Sequence, residues 1–338
     1  MDRRTVLGLG VTAALARMTH RAFAEDMTAS GVLSTDPTEI IPLWPGMPPG
    51  GEGVHLETKV VERSEETGVS FPDRFVNGIG KPTLQVFRPQ KPDGSAVVVA
   101  PGGGYGSVAI DREGVDVARR LNASGVTVFV LRYRLPAEGW ANAKDVPLQD
   151  VQRAMRIVRA GAQGFGVDPN RLGVFGSSAG GHLAASLATR YYDKVYEPLD
   201  NIDAQDAKPA FATLMYPVIT MSEPGTHPGS RMALLGPNPS DAIVDRYSCE
   251  KLVTDKTSPC FICMVANDEV VRPMENGVAM FQALRAATVP VELHIFEEGK
   301  HGFGLRLTKG KPVSAWPDLF LHWGYSNGWF RDPSAMPG

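Results

Sequence analysis

With 338 residues, 43% of them hydrophobic, the chain is long enough for one large α/β domain or two small ones around a substantial core. Its formal charge of −3 argues against nucleic acid or any other phosphate-rich partner. Three cysteines, an odd number, exclude a disulfide framework that uses them all.

The chain begins Met-Asp-Arg3-Arg4-Thr-Val-Leu, runs through a weakly apolar stretch to Ala16 and reaches Ala22-Phe23-Ala24. A charged start, a short apolar region and a small-x-small site have the layout of an export signal over residues 1–24. The paired arginines ahead of Val6 and Leu7 resemble a twin-arginine signal, so a periplasmic or secreted protein is expected. The competing reading is an ordinary amphipathic first helix. Loss of the segment would remove Arg3, Arg4, Arg17 and Arg21 against Asp2 alone, leaving a more acidic chain. No later run approaches ~18 apolar residues, so no membrane span is expected after the signal is removed.

Residues 25–50 are rich in Pro, Gly, Thr and Ser and read as an extended, surface-running lead-in without regular structure. Residues 58–62 and 83–87 alternate apolar with polar side chains, as half-exposed antiparallel strands do. The apolar run 96–100 is a buried central strand, and it ends in Pro101-Gly102-Gly103-Gly104-Tyr105. Helical pattern covers 113–122, a buried strand 126–131, and a long amphipathic helix 146–162. A short strand at 172–175 leads into a helix of small residues, and 210–216 is a further strand. Residues 218–250 contain four prolines and three glycines, and read as an irregular inserted lid or substrate loop. Strand 260–266, helix 274–286, strand 290–296 and helix 315–326 complete the chain. Cys260 and Cys263 fall three apart on a strand and so point to opposite faces, which favours buried apolar thiols over a zinc or redox pair. Strands alternating with helices predict a mostly parallel sheet with helices on both faces, in a single α/β domain over residues 51–338.

The stretch Gly176-Ser177-Ser178-Ala179-Gly180 joins strand 172–175 directly to a helix. A chain that turns at once from strand to helix bends sharply at Ser178, and this lifts its hydroxyl above the sheet edge. The free N–H of Ala179, at the start of the helix, then faces any negative charge that develops there. A phosphate-binding loop is the competing reading, but no Lys-Ser or Lys-Thr follows to hold a nucleotide. The triple glycine after strand 96–100 can likewise aim N–H groups into a pocket, as acyl transfer requires. A serine nucleophile also needs a base and an orienting carboxylate, both from loops at the ends of late strands. Asp268 and Glu269 follow strand 260–266, and His301 follows strand 290–296 in a glycine-flanked loop. His182 lies on the helix behind Ser178 and is expected to pack. His227 and Arg231 in the lid segment, together with Tyr105, Trp140 and other aromatics elsewhere in the chain, offer the mixture of hydrogen-bonding groups and flat apolar faces that suits a sugar.

With these motifs assembled, the chain resembles the α/β-hydrolase superfamily. More narrowly it is similar to exported bacterial esterases grouped with acetylxylan esterases and hormone-sensitive-lipase-like carboxylesterases. The resemblance spans roughly residues 40–310 and rests on Pro-Leu-Trp-Pro-Gly at 42–46, Pro-Gly-Gly-Gly-Tyr at 101–105 and Asp-Pro-Asn-Arg-Leu-Gly-Val-Phe-Gly-Ser-Ser-Ala-Gly-Gly-His at 168–182. Asp-x-x-Val at 268–271 and Gly-Lys-His-Gly-Phe-Gly at 299–304 complete it. It implies the α/β-hydrolase fold, with Ser178 as nucleophile, Asp268 as acid, His301 as base, and the N–H groups of Gly103, Gly104 and Ala179 as oxyanion donors. It also implies a cofactor-free, metal-free ester hydrolase acting on a small ester or an acetylated carbohydrate. Lipase-like members usually have His before the three glycines; Pro101 stands there instead and points toward the acetylxylan-esterase-like branch. A general short-chain carboxylesterase or a feruloyl-type esterase is the runner-up. Non-catalytic binding proteins of this fold usually lose the serine or the histidine, and both are present here.

Overall fold

The computed structural model describes residues 36–331, so the expected signal over 1–24 lies outside the described residues. The strands are β1 (Ile40–Pro42), β2 (Lys59–Glu62), β3 (Arg74–Asn77), β4 (Thr83–Phe87), β5 (Ala96–Ala100), β6 (Val108–Ala109), β7 (Thr127–Arg132), β8 (Leu172–Ser177), β9 (Ala212–Met215), β10 (Cys260–Val265) and β11 (Val291–Phe296). Eight of them form one sheet in the order β1-β4-β7-β5-β8-β9-β10-β11, and β2-β3-β6 form a smaller antiparallel sheet. From β7 to β11 every pairing in the large sheet is parallel, while β4 and β1 add antiparallel at one edge.

Successive strand residues face opposite sides, so a strand buried at every position is covered on both. β5, β7, β8, β9 and β10 are buried throughout, which is why they read as unbroken apolar runs. The two covering layers can be read from β8. A Cβ built on Gly176 would meet Ala184, on the helix α3 that follows the strand, whereas Phe175 meets Trp316 and Phe320 of the last helix. The principal helices are α1 (Asp116–Asn122), α2 (Val146–Ala160), α3 (Ala179–Arg190), α4 (Pro228–Leu235), α5 (Asp241–Arg246), α6 (Ala279–Ala286) and α7 (Trp316–Ser326). The predicted fold, a mostly parallel sheet between helical layers, is the observed one.

Three local expectations need correction. The lead-in is not wholly irregular: Ile40–Pro42 pairs with β4, and Leu43 and Trp44 are buried. Trp44 Nε1 donates to Asp150 Oδ1 (2.8 Å), and the same carboxylate accepts from Arg134 Nε and Nη2, neither side chain being exposed. Pro and Gly content suggested a loop, but the open edge of β4 supplies N–H and C=O groups that need a partner. β4 is buried at every position rather than half-exposed, so both of its faces are covered. Residues 218–250 contain α4 and α5 and are therefore not irregular throughout; proline at the start of α4 begins that helix rather than breaking one.

Candidate active site

Ser178 is the single residue between β8 and α3, with φ 53° and ψ −119°. A non-glycine residue at positive φ costs of the order of 1–3 kcal/mol and persists only where its surroundings fix it. Here its N–H donates to the Met215 carbonyl (2.9 Å), and its own carbonyl accepts from His182 and Val218 (3.1 Å each). The flanking glycines are required by close approach. A Cβ on Gly176 would lie 2.0 Å from the Gly180 carbonyl oxygen, and one on Gly180 would lie 2.0 Å from that of Ala100.

β8, β10 and β11 run parallel, so the loops that follow them open on one edge of the sheet. Those loops bring together Ser178, Asp268 and His301. Ser178 Oγ lies 2.8 Å from His301 Nε2, and His301 Nδ1 lies 2.7 Å from Asp268 Oδ2. The second carboxylate oxygen of Asp268 accepts the N–H groups of Val270 (2.9 Å) and Val271 (2.8 Å), which fixes its orientation. With Asp268 accepting at Nδ1, the imidazole keeps Nε2 free to take the serine proton. Asp268 is only 4% exposed, whereas Glu269 is exposed and hydrogen-bonds to neither His301 nor Ser178. Of the two carboxylates left open by residue pattern, the structure joins Asp268 to the histidine.

The glycine loop faces this group. Tyr133 donates its hydroxyl to the Pro101 carbonyl (2.7 Å), Gly102 donates its N–H to Glu113 Oε2 (2.6 Å), and Gly106 and Ser107 return to the Gly103 carbonyl. A Cβ on Gly102 would come within 2.8 Å of Ser178 Cβ, so the loop runs directly against the serine. Gly103 and Gly104 have φ values of 128° and 66°. Their N–H groups and that of Ala179 donate to no other described residue. Three unengaged donors beside an activated hydroxyl form the arrangement that acyl transfer requires.

The expected substrate contacts divide. Tyr105 is 1% exposed, and its hydroxyl lies 2.7 Å from His182 Nδ1. Its positive φ of 60° turns the ring into the core, so it is a buried packing residue and not a substrate contact. Arg231 donates Nε to the Met221 carbonyl (3.1 Å) and faces Glu223 at 3.5 Å, which ties it to the lid backbone instead of the site. His227 remains beside the site: half-buried, it caps α4 through Ser230, with Cε1 3.8 Å from a methyl built on Gly104. Its pKa is lowered, first by burial and then by the charge of His301. His182 packs as expected, with Nε2 2.7 Å from the Tyr247 carbonyl. The three cysteines are free and buried.

Residue pattern missed Glu113 and Tyr216. Glu113 opens what reads as a helix, where an acidic residue is unremarkable, and only its burial marks it. Tyr216 follows β9 directly and presents its ring edge-to-face to His301, with centroids 5.2 Å apart. A recess of about 310 Å³ bounded by Asn267, Glu269, Val270, Lys300 and His301 opens at the histidine. Behind Tyr105 and His182 the free space is only about 10 Å³, room for one water at most.

Residues 97–305 match the family described as alpha/beta hydrolase fold. The chain is 33% identical over 228 residues to an acetylxylan esterase of Xylanibacter ruminicola, covering 67% of this chain and 44% of that protein. It is 35% identical over 220 residues to endo-1,4-beta-xylanase B of Butyrivibrio fibrisolvens, covering 65% and 34%. The chain thus spans less than half the length of these curated relatives. Its structure is similar to that of an acetyl ester-xyloside bifunctional hydrolase from Caldicellulosiruptor lactoaceticus, at 33% identity and a TM-score of 0.69, covering 88% of this chain and 100% of the other. Site geometry, family match and relatives agree: the chain belongs to the α/β-hydrolase family, on its carboxylesterase and acetylxylan-esterase-like branch.

Proposed function

We propose that this protein is an exported serine esterase that removes acetyl groups from xylan or its oligosaccharides. The observation that carries the esterase reading is the Ser178–His301–Asp268 relay facing three unengaged backbone N–H groups. Ser178 Oγ attacks the ester carbonyl while His301 Nε2 takes its proton. Asp268 stabilises the resulting imidazolium, and the N–H groups of Gly103, Gly104 and Ala179 receive the oxyanion. His301 returns the proton to the departing alcohol, and water then cleaves the acyl-enzyme by the same steps. Ala179 also begins a helix of 12 residues, whose N-terminal partial charge favours the oxyanion.

The acetyl preference draws on the acetylxylan esterase and the acetyl ester-xyloside hydrolase among the relatives. A deep acyl tunnel would add up to ~0.8 kcal/mol for each methylene it buries; a shallow site adds nothing. The residues that border the recess at His301, together with His227, would meet the acyl group or the sugar. The test is kcat/KM on p-nitrophenyl acetate, butyrate and octanoate, alongside acetate release from acetylated xylo-oligosaccharides. Efficiency should fall steeply from acetate to butyrate, with acetate released from the oligosaccharides. A preference for octanoate would overturn the substrate assignment, and short esters cleaved without release from the sugar would favour a general carboxylesterase.

A further inference from the structure

We propose that Glu113 is a second, buried carboxylate of the active site, a positioning residue that fixes the glycine loop and supports the protonated state of His301 during turnover. The proposal rests on the reading of Ser178, His301 and Asp268 as the catalytic relay.

Glu113 is 6% exposed and belongs to the turn that opens into α1. Oε2 accepts the N–H of Gly102 at 2.6 Å, and Oε1 accepts the hydroxyl of Tyr216 at 3.0 Å. A carboxyl group whose two oxygens both accept has the bonding pattern of the ionised form. Each partner leads to a different part of the site. Gly102 precedes the two glycines whose N–H groups are free, and a Cβ there would strike both Glu113 Oε2 (2.5 Å) and Ser178 Cβ (2.8 Å). Tyr216 packs its ring on His301 and on Phe303 (4.6 Å between centroids). A methyl built on Gly302, next to His301, would lie 3.8 Å from Glu113 Oε1. One carboxylate therefore touches the oxyanion loop directly and borders the base on two sides.

Burial raises the pKa of Glu113; the charge of His301, the N–H of Gly102, the hydroxyl of Tyr216 and the charge of Arg112 oppose that rise, in that order. A carboxylate this close to the base attracts the positive charge that His301 acquires when it takes the serine proton. The other groups that face this histidine are Asp268 and Glu269 from the loop after β10, His227 from the start of α4, Tyr216 just after β9, Lys300 next to the histidine in sequence, and Arg112, which donates to the Gly302 carbonyl at 3.4 Å. Arg112 is paired with Asp73, so its charge is already partly balanced. In a dry site, preorganised dipoles and charges contribute most where charge develops during the reaction.

Two variants separate charge from position. Glu113→Gln keeps the shape and an acceptor for Gly102 but removes the charge. The acid limb of kcat/KM on p-nitrophenyl acetate, below which His301 is protonated, should move at least half a pH unit lower, with kcat down about tenfold and KM changed less than twofold. Glu113→Asp keeps the charge but withdraws it from Gly102; kcat should again fall at least tenfold while the acid limb stays within 0.2 units of wild type. An unmoved acid limb in Glu113→Gln overturns the electrostatic role. Wild-type kcat in Glu113→Asp overturns the positional one and remains decisive if the Gln variant does not fold. Ser178→Ala measured alongside distinguishes the underlying reading: activity retained there would reject the relay itself, whatever Glu113 does.

Discussion

Ser178 keeps a strained backbone conformation because the Met215 carbonyl, Val218 and His182 all bond to its peptide groups. Replacing its side chain leaves those bonds in place. Ser178→Ala should therefore fold normally and lose turnover on the order of 10⁶-fold, as measured by p-nitrophenyl acetate hydrolysis beside a thermal melt. Asp268 and Glu269 are adjacent in sequence but stand in opposite environments, one buried on His301 and one in solvent. Asp268→Asn should cost roughly 10⁴ in kcat at neutral pH, because an amide does not enforce the required tautomer or balance imidazolium. Glu269→Gln should stay close to wild type, and the reverse ranking would move the acid to 269.

Helix α3 is joined to its surroundings through His182 as well as through the elbow. The imidazole accepts the Tyr105 hydroxyl at Nδ1 and donates from Nε2 to the Tyr247 carbonyl, linking the glycine loop, the nucleophile helix and the end of the lid segment. Burial lowers its pKa from 6.5 to about 4; the bond to Tyr247 opposes this and the charge of Arg190 adds to it. A histidine held neutral in the fold contributes its stability in full above the unfolded value near 6.5. As pH falls from there toward 4 the unfolded chain binds the proton first, so stability is lost across that window, by about 3 kcal/mol at most. Urea unfolding at pH 7.5 and pH 4.5 checks this against His182→Gln, which cannot be protonated. The stability gap between wild type and variant should narrow at the lower pH; a gap that stays constant would show that His182 does not carry the acid sensitivity.

At the scale of the whole molecule, the parallel sheet gathers the loops after β5, β8, β10 and β11 on one edge, which is why residues from four separate stretches meet. The three cysteines are buried and free, and burial pushes the thiols up, Cys249 to about 12. Unreactive thiols suit a protein that folds in a reducing compartment before export, which is what a twin-arginine route requires. Exchange of Arg3 and Arg4 for Lys should leave precursor in the cytoplasm of an expressing bacterium, scored by fractionation and activity. Undiminished export of that variant would overturn the twin-arginine proposal.

By itself the sequence determined the parallel sheet, the position of the elbow at Ser178, and the candidate loops at Gly103–Gly104, Asp268–Glu269 and His301. Each of these is a local signal: an unbroken apolar run, a glycine demanded by close approach, a polar residue at the end of a strand. Tertiary structure alone decided the remainder. It joined Asp268, already the acid implied by the resemblance, to His301, turned Tyr105 and Arg231 away from the site, and made a strand of Ile40–Pro42 because β4 offered an open edge. It also brought Glu113 under the glycine loop, although in sequence that residue is only an acid near the start of a helix. These outcomes depend on which groups from distant segments share a buried space and must satisfy one another there. That pairing arises only once the chain has packed.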